Sequence, residues 1–140
     1  CSDPVQASRA ITEALADARL SPADVDYINA HAASTPVGDA AEAGAIRDAF
    51  GAAAMKIPTS STKSMSGHLI SGAAAFEALA CLVAIQRNII PPTINLDTPD
   101  EDCLLRHVPH HSISLPVRVT ASNSFGFGGS NLCLILKEAA

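Results

Sequence analysis

The residues able to do chemistry in this chain gather in three short polar clusters. NAHAAST holds His31, TKSMSGH holds Lys63 and His68, and NSFGFGGSN holds Phe127 among three glycines. A neutral imidazole can donate one hydrogen bond, and glycine lets the backbone approach a ligand closely. Two histidines, a lysine and exposed backbone N–H groups can together surround a carbonyl oxygen that becomes negative during a reaction. Taken singly, each feature has a plainer reading. Either histidine can fill a polar corner, Lys63 can be solvated or paired with Glu77, and GFGG can be a hairpin turn around a core phenylalanine. His107, His110 and His111 share one loop without helical ligand spacing and read as surface histidines; no carboxylate or cysteine set completes a zinc site.

Elements must bring the three clusters together. SDPVQASRAITEALADARLSP predicts a helix, with Asp3 as its cap, Pro4 in its first turn and Val5, Ile11, Ala14, Leu15 and Ala18 on an inward face. VDYINAH predicts a strand. STPVGDAAEAGAIRDAFG predicts a second helix, with Asp39 and Glu42 near its positive end and Gly51 closing it. MKIPTSST reads as a short strand. Residues from about 68 to 87 are apolar all round, which predicts a buried helix stopping at Asn88. His68 would stand at its start, where unpaired N–H groups and the helix dipole favour the uncharged ring. NIIPPTINL reads as an extended connector and TPDEDC as a polar loop. LPVRVTASNSF and SNLCLILKE read as two strands joined by GFGG into a hairpin. This alternation predicts an α/β layer, and each cluster falls just past a strand, where ligands bind in open sheets.

The 140 residues suit one domain. Nine basic and fourteen acidic residues leave a net charge of −5 without a basic run, which removes the electrostatic footing for nucleic acid. No run reaches the roughly 20 apolar residues of a membrane span, and no signal-peptide layout opens the chain. Cys1, Cys81, Cys103 and Cys133 fit no metal spacing and predict free, reduced thiols and a cytoplasmic location. No GxSxG elbow or phosphate-binding loop is present.

VDYINAHAASTPVGDAAEAGAI, SSTKSMSGHLISGAAAFEAL, PPTINLDTPDEDC and ASNSFGFGGSNLCLIL, in that order, resemble the β-ketoacyl-acyl carrier protein synthases, condensing enzymes of the thiolase-like superfamily, and above all the synthase II type. The resemblance implies a thiolase-like fold, C-terminal half: a mixed sheet with a buried helix, ending in a β-hairpin. It implies decarboxylative condensation of malonyl-acyl carrier protein with an acyl thioester. His31 and His68 look like the pair that stabilises the enolate oxygen. Lys63 looks like the lysine that orients His68 and ties to Glu77. Phe127 looks like the gating phenylalanine, whose backbone N–H joins the oxyanion hole. Thr35 matches a threonine that contacts the pantetheine arm. Asn29, Ala30, Glu77, Ser122 and Asn123 fall where some relatives bind a monovalent cation; no other cofactor is implied. The implied partners are acyl carrier protein, with its pantetheine-linked acyl and malonyl groups, and a second copy in a homodimer; neither nucleic acid nor membrane is implied.

The sequence departs from the family's pattern in two places. HAAST stands where HGTST is commoner, so Ala33 replaces a threonine that would touch the arm. SGHLISGAAAF places its glycine differently from TGHLLGAAGA. The family's nucleophilic cysteine lies far upstream, and none of the four cysteines here has its setting. Residues 1–140 therefore read as the C-terminal thiolase-like domain alone. By itself it is expected to be inactive, to leave an oily face open, and to bind the acidic carrier through the absent half. A chain-length-factor type of polyketide partner and a stand-alone interaction module on the half-fold are the competing readings; retention of His31, His68 and Lys63 favours the condensing enzyme.

Overall fold

The computed structural model describes residues 3–139, except the side chain of Phe127. Helix α1 (Pro4–Asp17) begins as predicted, with the Asp3 carboxylate accepting from the N–H groups of Val5 and Gln6 at 3.0 and 3.4 Å. Its buried stripe is Ala7, Ile11 and Leu15, whereas Val5, expected inward, is 66% exposed. Two residues subtend roughly 200° on a helix, so Val5 cannot share a face with Ala7.

Strand β1 (Tyr27–Asn29) leads to helix α2 (Pro36–Phe50), which Gly51 closes at φ 55. Strand β2 (Thr59–Ser60) follows, then the short helix α3 (Lys63–Ser66) and the long helix α4 (Ala73–Arg87). Strands β3 (Ile89–Ile90), β4 (Ile113–Ser114), β5 (Val119–Phe125) and β6 (Asn131–Lys137) complete the chain. The main sheet has the order β2-β1-β5-β6. Strand β1 runs parallel to both β2 and β5, and β6 returns antiparallel along β5 from Val119↔Lys137 to Phe125↔Asn131. The sheet is mixed and ends in the expected hairpin. The segment read as a plain connector instead supplies β3, which pairs with β4 in a second, two-stranded sheet.

Helices α1 and α2 cover one face of the main sheet, with Ile11, Leu15, Ile28, Ile46 and Phe50 in the core between them. Helix α4 covers the other, with its Cys81 and Ala84 in one cluster with Tyr27 and Val117. Two expectations about α4 need correction. It starts at Ala73 rather than near residue 68, because serines upstream bond to the backbone and Gly67 takes a left-handed turn. Ser64 donates to the Ser61 carbonyl and Ser66 to that of Thr62, while Gly67 sits at φ 73. Only its inner stripe of Ala73, Glu77, Cys81 and Ala84 is buried; Leu79 is 60% exposed, and Phe76, Leu82 and Val83 are open as well.

Candidate active site

Parallel strands β1 and β2 end side by side; the loop after β1 carries His31, and Lys63 opens α3 just after β2. The turn after α3 adds His68. The rings of His31 and His68 meet edge to face, with centroids 5.6 Å apart and planes at 84°. Phe125, at the end of β5, also lies against His31, with ring centroids 5.9 Å apart and planes at 50°. His68 lies in the turn between α3 and α4, not at a helix start, and its Nδ1 accepts the N–H of Ile70 at 3.1 Å. In the neutral ring that bond leaves the proton on Nε2, the nitrogen free to donate. His31 is half-buried. Burial, then the charge of Lys63, then His68, lower its pKa from 6.5 to about 4, so it is uncharged at neutral pH.

Lys63 and Glu77 form a buried ion pair between Nζ and Oε1. Helix α4 delivers Glu77 to the sheet, and the short helix α3 turns Lys63 inward to meet it. Burial pushes the Glu77 carboxyl above the usual carboxylate range, against the opposing pull of Lys63.

Glu42 was read as a helix-dipole partner, yet it is buried and structural. Its two carboxylate oxygens accept the N–H of His31 at 2.8 Å and of Ala32 at 2.7 Å, and Asn123 donates to it at 3.1 Å. The one sequence signal was an acid set among alanines on an inward helix face. Phe125 was likewise missed as a neighbour of His31.

Thr35 is the N-cap of α2 and is exposed, with no side-chain bond to the helix end. Its hydroxyl lies against Gly38, where a Cβ would come within 2.4 Å. Phe127 opens the turn Phe127–Gly129, in which Gly128 and Gly129 take φ 74 and 81; its side chain lies outside what the structure describes. A cavity of about 470 Å³ opens beside Lys63 and His68, between α2 and a strap of residues 93–107. The strap is sewn to the site by Thr93, which accepts the Ser61 N–H at 2.9 Å, and by Ile94, which donates to Ser64 at 3.0 Å.

The residues named for a cation divide between the faces of the sheet. Asn29 and Ser122 are register partners on the α4 side, with Glu77 above them; Asn123 points to the α2 side and Glu42. Asn29 Oδ1, Ser122 Oγ and Glu77 Oε2 are buried without a hydrogen-bond partner. Hard oxygen donors of this kind fit a monovalent cation in chemistry, while the Asn123 side chain does not converge with them. Cys81 and Cys133 are pushed up to about 11 and about 12 by burial, and Cys103 is raised by burial and neighbouring aspartates. None of these three is an activated nucleophile.

Comparisons with known proteins place the chain in a family. Residues 2–97 match the family described as beta-ketoacyl synthase, C-terminal domain. The chain is 52% identical over 132 residues to 3-oxoacyl-(acyl-carrier-protein) synthase 2 of Synechocystis sp., covering 94% of this chain and 32% of that protein. It is 50% identical over 124 residues to the protein of the same name from Coxiella burnetii, covering 89% of this chain and 30% of the other. The chain thus spans about a third of the length of the curated relatives it matches. Among solved structures it resembles the ishigamide ketosynthase/chain length factor, with a TM-score of 0.95 at 38% identity, over 99% of this chain and 34% of that one. It also resembles AntDE:AntF, a type II polyketide synthase acyl-carrier protein in complex with its ketosynthase bound to the hexaketide. There the TM-score is 0.94 at 37% identity, again over 99% and 34%.

Proposed function

The chain belongs to the family of β-ketoacyl synthase C-terminal domains, and from that premise we propose that it supplies the enolate-stabilising part of a 3-oxoacyl-acyl carrier protein synthase. The reaction is decarboxylative Claisen condensation. The malonyl C–C bond breaks, carbon dioxide leaves, and the freed electron pair passes into an enolate whose oxygen carries the charge. The enolate carbon then attacks the acyl thioester carbonyl and the enzyme's cysteine thiolate departs. That cysteine belongs to a part of the synthase outside these residues.

His31 and His68 donate to the enolate oxygen, the latter through Nε2. Lys63, held by Glu77, keeps a positive field behind the pair. The backbone N–H of Phe127 serves the thioester oxyanion and its ring gates the acyl group, while Thr35 meets the pantetheine arm. Acyl carrier protein is the partner, a reading supported by the complex solved for AntDE:AntF. A homodimer and a cytoplasmic location complete the proposal. Where a monovalent cation is bound, Asn29, Ser122 and Glu77 would hold it, and its charge would steady that buried corner.

The carrying observation is the edge-to-face pair of His31 and His68, with His31 uncharged at neutral pH. In the full-length protein, His68→Ala and His31→Ala should each slow carbon dioxide release from malonyl-acyl carrier protein by ~10²–10³-fold. An unchanged rate in either variant removes the enolate role. A chain-length-factor partner would show no such release to begin with.

A further inference from the structure

Residue 32 carries a side chain where the backbone disfavours one. Ala32 sits at φ 23, inside the left-handed region that an L-residue occupies only under constraint. Three bonds supply the constraint. The Glu42 carboxylate takes the N–H of His31 on one oxygen and that of Ala32 on the other, at 2.8 and 2.7 Å. The Ser61 hydroxyl donates to the Ala32 carbonyl at 3.3 Å. Glu42 and Ser61 are 4% and 5% exposed, so water does not compete for these bonds. Both peptide planes that flank the His31 Cα are fixed by one carboxylate, and two peptide planes fix the Cα–Cβ direction from which the ring reaches His68 and Phe125.

We propose that Ala32, Glu42 and Ser61 form a sprung clamp that aims the His31 ring at His68, with Ala32 as the strained member that releases the loop when the clamp fails. They are positioning residues, since none need touch substrate. A glycine at 32 would adopt the same turn without strain, so the turn would survive loss of the clamp at a lower cost. An alanine there makes the aim of His31 depend on Glu42. The inference deepens the condensing reading, on which its catalytic consequence rests; the clamp itself stands on geometry alone.

The test is a double-variant cycle in the full-length protein with two readouts. The first is the chemical shift of the His31 ring protons, which His68 and Phe125 displace by their ring currents and which needs no substrate. The second is malonyl decarboxylation. Glu42→Gln sets an amide N–H₂ donor against an N–H that needs an acceptor. It should move the ring resonances toward free-histidine values and lower kcat about tenfold with KM nearly unchanged. Adding Ala32→Gly should return the resonances most of the way and recover kcat about threefold. Ser61→Ala should shift them less, in the same direction, with the same rescue, and serves if Glu42→Gln does not fold. Unmoved ring resonances, or effects that simply add without rescue, overturn the clamp. Displaced and rescued resonances with an unaffected decarboxylation rate uphold it and reject the enolate role instead.

Discussion

His31 shows how an environment sets a side chain's task. Its pKa falls from 6.5 to about 4 because burial disfavours the imidazolium and Lys63 repels it. Between those values the unfolded chain binds a proton that the folded ring refuses. The unfolded state then holds more protons, so stability rises with pH across the window and is lost as pH falls from 6.5 towards 4. The ring is only half-buried, so screening limits the loss to about 1 kcal/mol. Denaturant titrations of the full-length protein at several pH values should show this slope, and a His31→Asn variant should lack it. A native protein whose stability is flat through that range would contradict an uncharged His31. The sequence made His31 and His68 candidates but misjudged how they are held. It placed His68 at a helix terminus, whereas in the structure His68 lies in a turn, and it did not foresee the burial that lowers the pKa of His31.

At the scale of elements, α4 carries the main lesson. Its fifteen residues are nearly all apolar, and period alone could not say which side faces the sheet. The polar residue Glu77 marks that side. A carboxylate on an oily helix is tolerated only beside a cation, and Lys63 provides it. Glu77→Ala should therefore cost about 3–5 kcal/mol, by leaving the lysine charge buried alone. Replacing the pair by Lys63→Met with Glu77→Leu should restore most of that stability while leaving the site without its positive field. Thermal melts of the two variants check this, and a single variant as stable as the double would show that the pair is not desolvated. The α/β order and the closing hairpin were legible because each rests on local pattern and on turn glycines. The β3–β4 sheet was not, since two-residue strands leave too short a pattern to read. The start of α4 was not legible either, because Ser64 and Ser66 bond to the backbone and divert it from helix.

For the molecule as a whole, the open side of α4 matters most. Phe76, Leu79, Leu82 and Val83 are exposed there, as are Leu132 and Leu134 on β6, which neighbours α4, and clustered exposed apolar side chains mark surfaces that associate. Expressed alone, residues 1–140 should self-associate, and Leu79→Lys with Val83→Glu should shift them towards monomer in sedimentation. A wild-type chain that sediments as a monomer would show that this face is benign. Composition announced the oiliness of the helix but not its direction, because direction depends on which neighbours a chain brings.

The central strand pair joins distant parts of the chain. Asp26, just before β1, accepts the N–H of Val119, 93 positions later, and Tyr27 pairs with Thr120. During synthesis on the ribosome, His31 therefore emerges long before the strand that must lie beside its own. The loop after β1 has to wait, with β2 as the earlier of its strand's two neighbours, until residues 119–125 are made. A stalled or prematurely terminated product would carry both histidines yet lack a floor on which to set them.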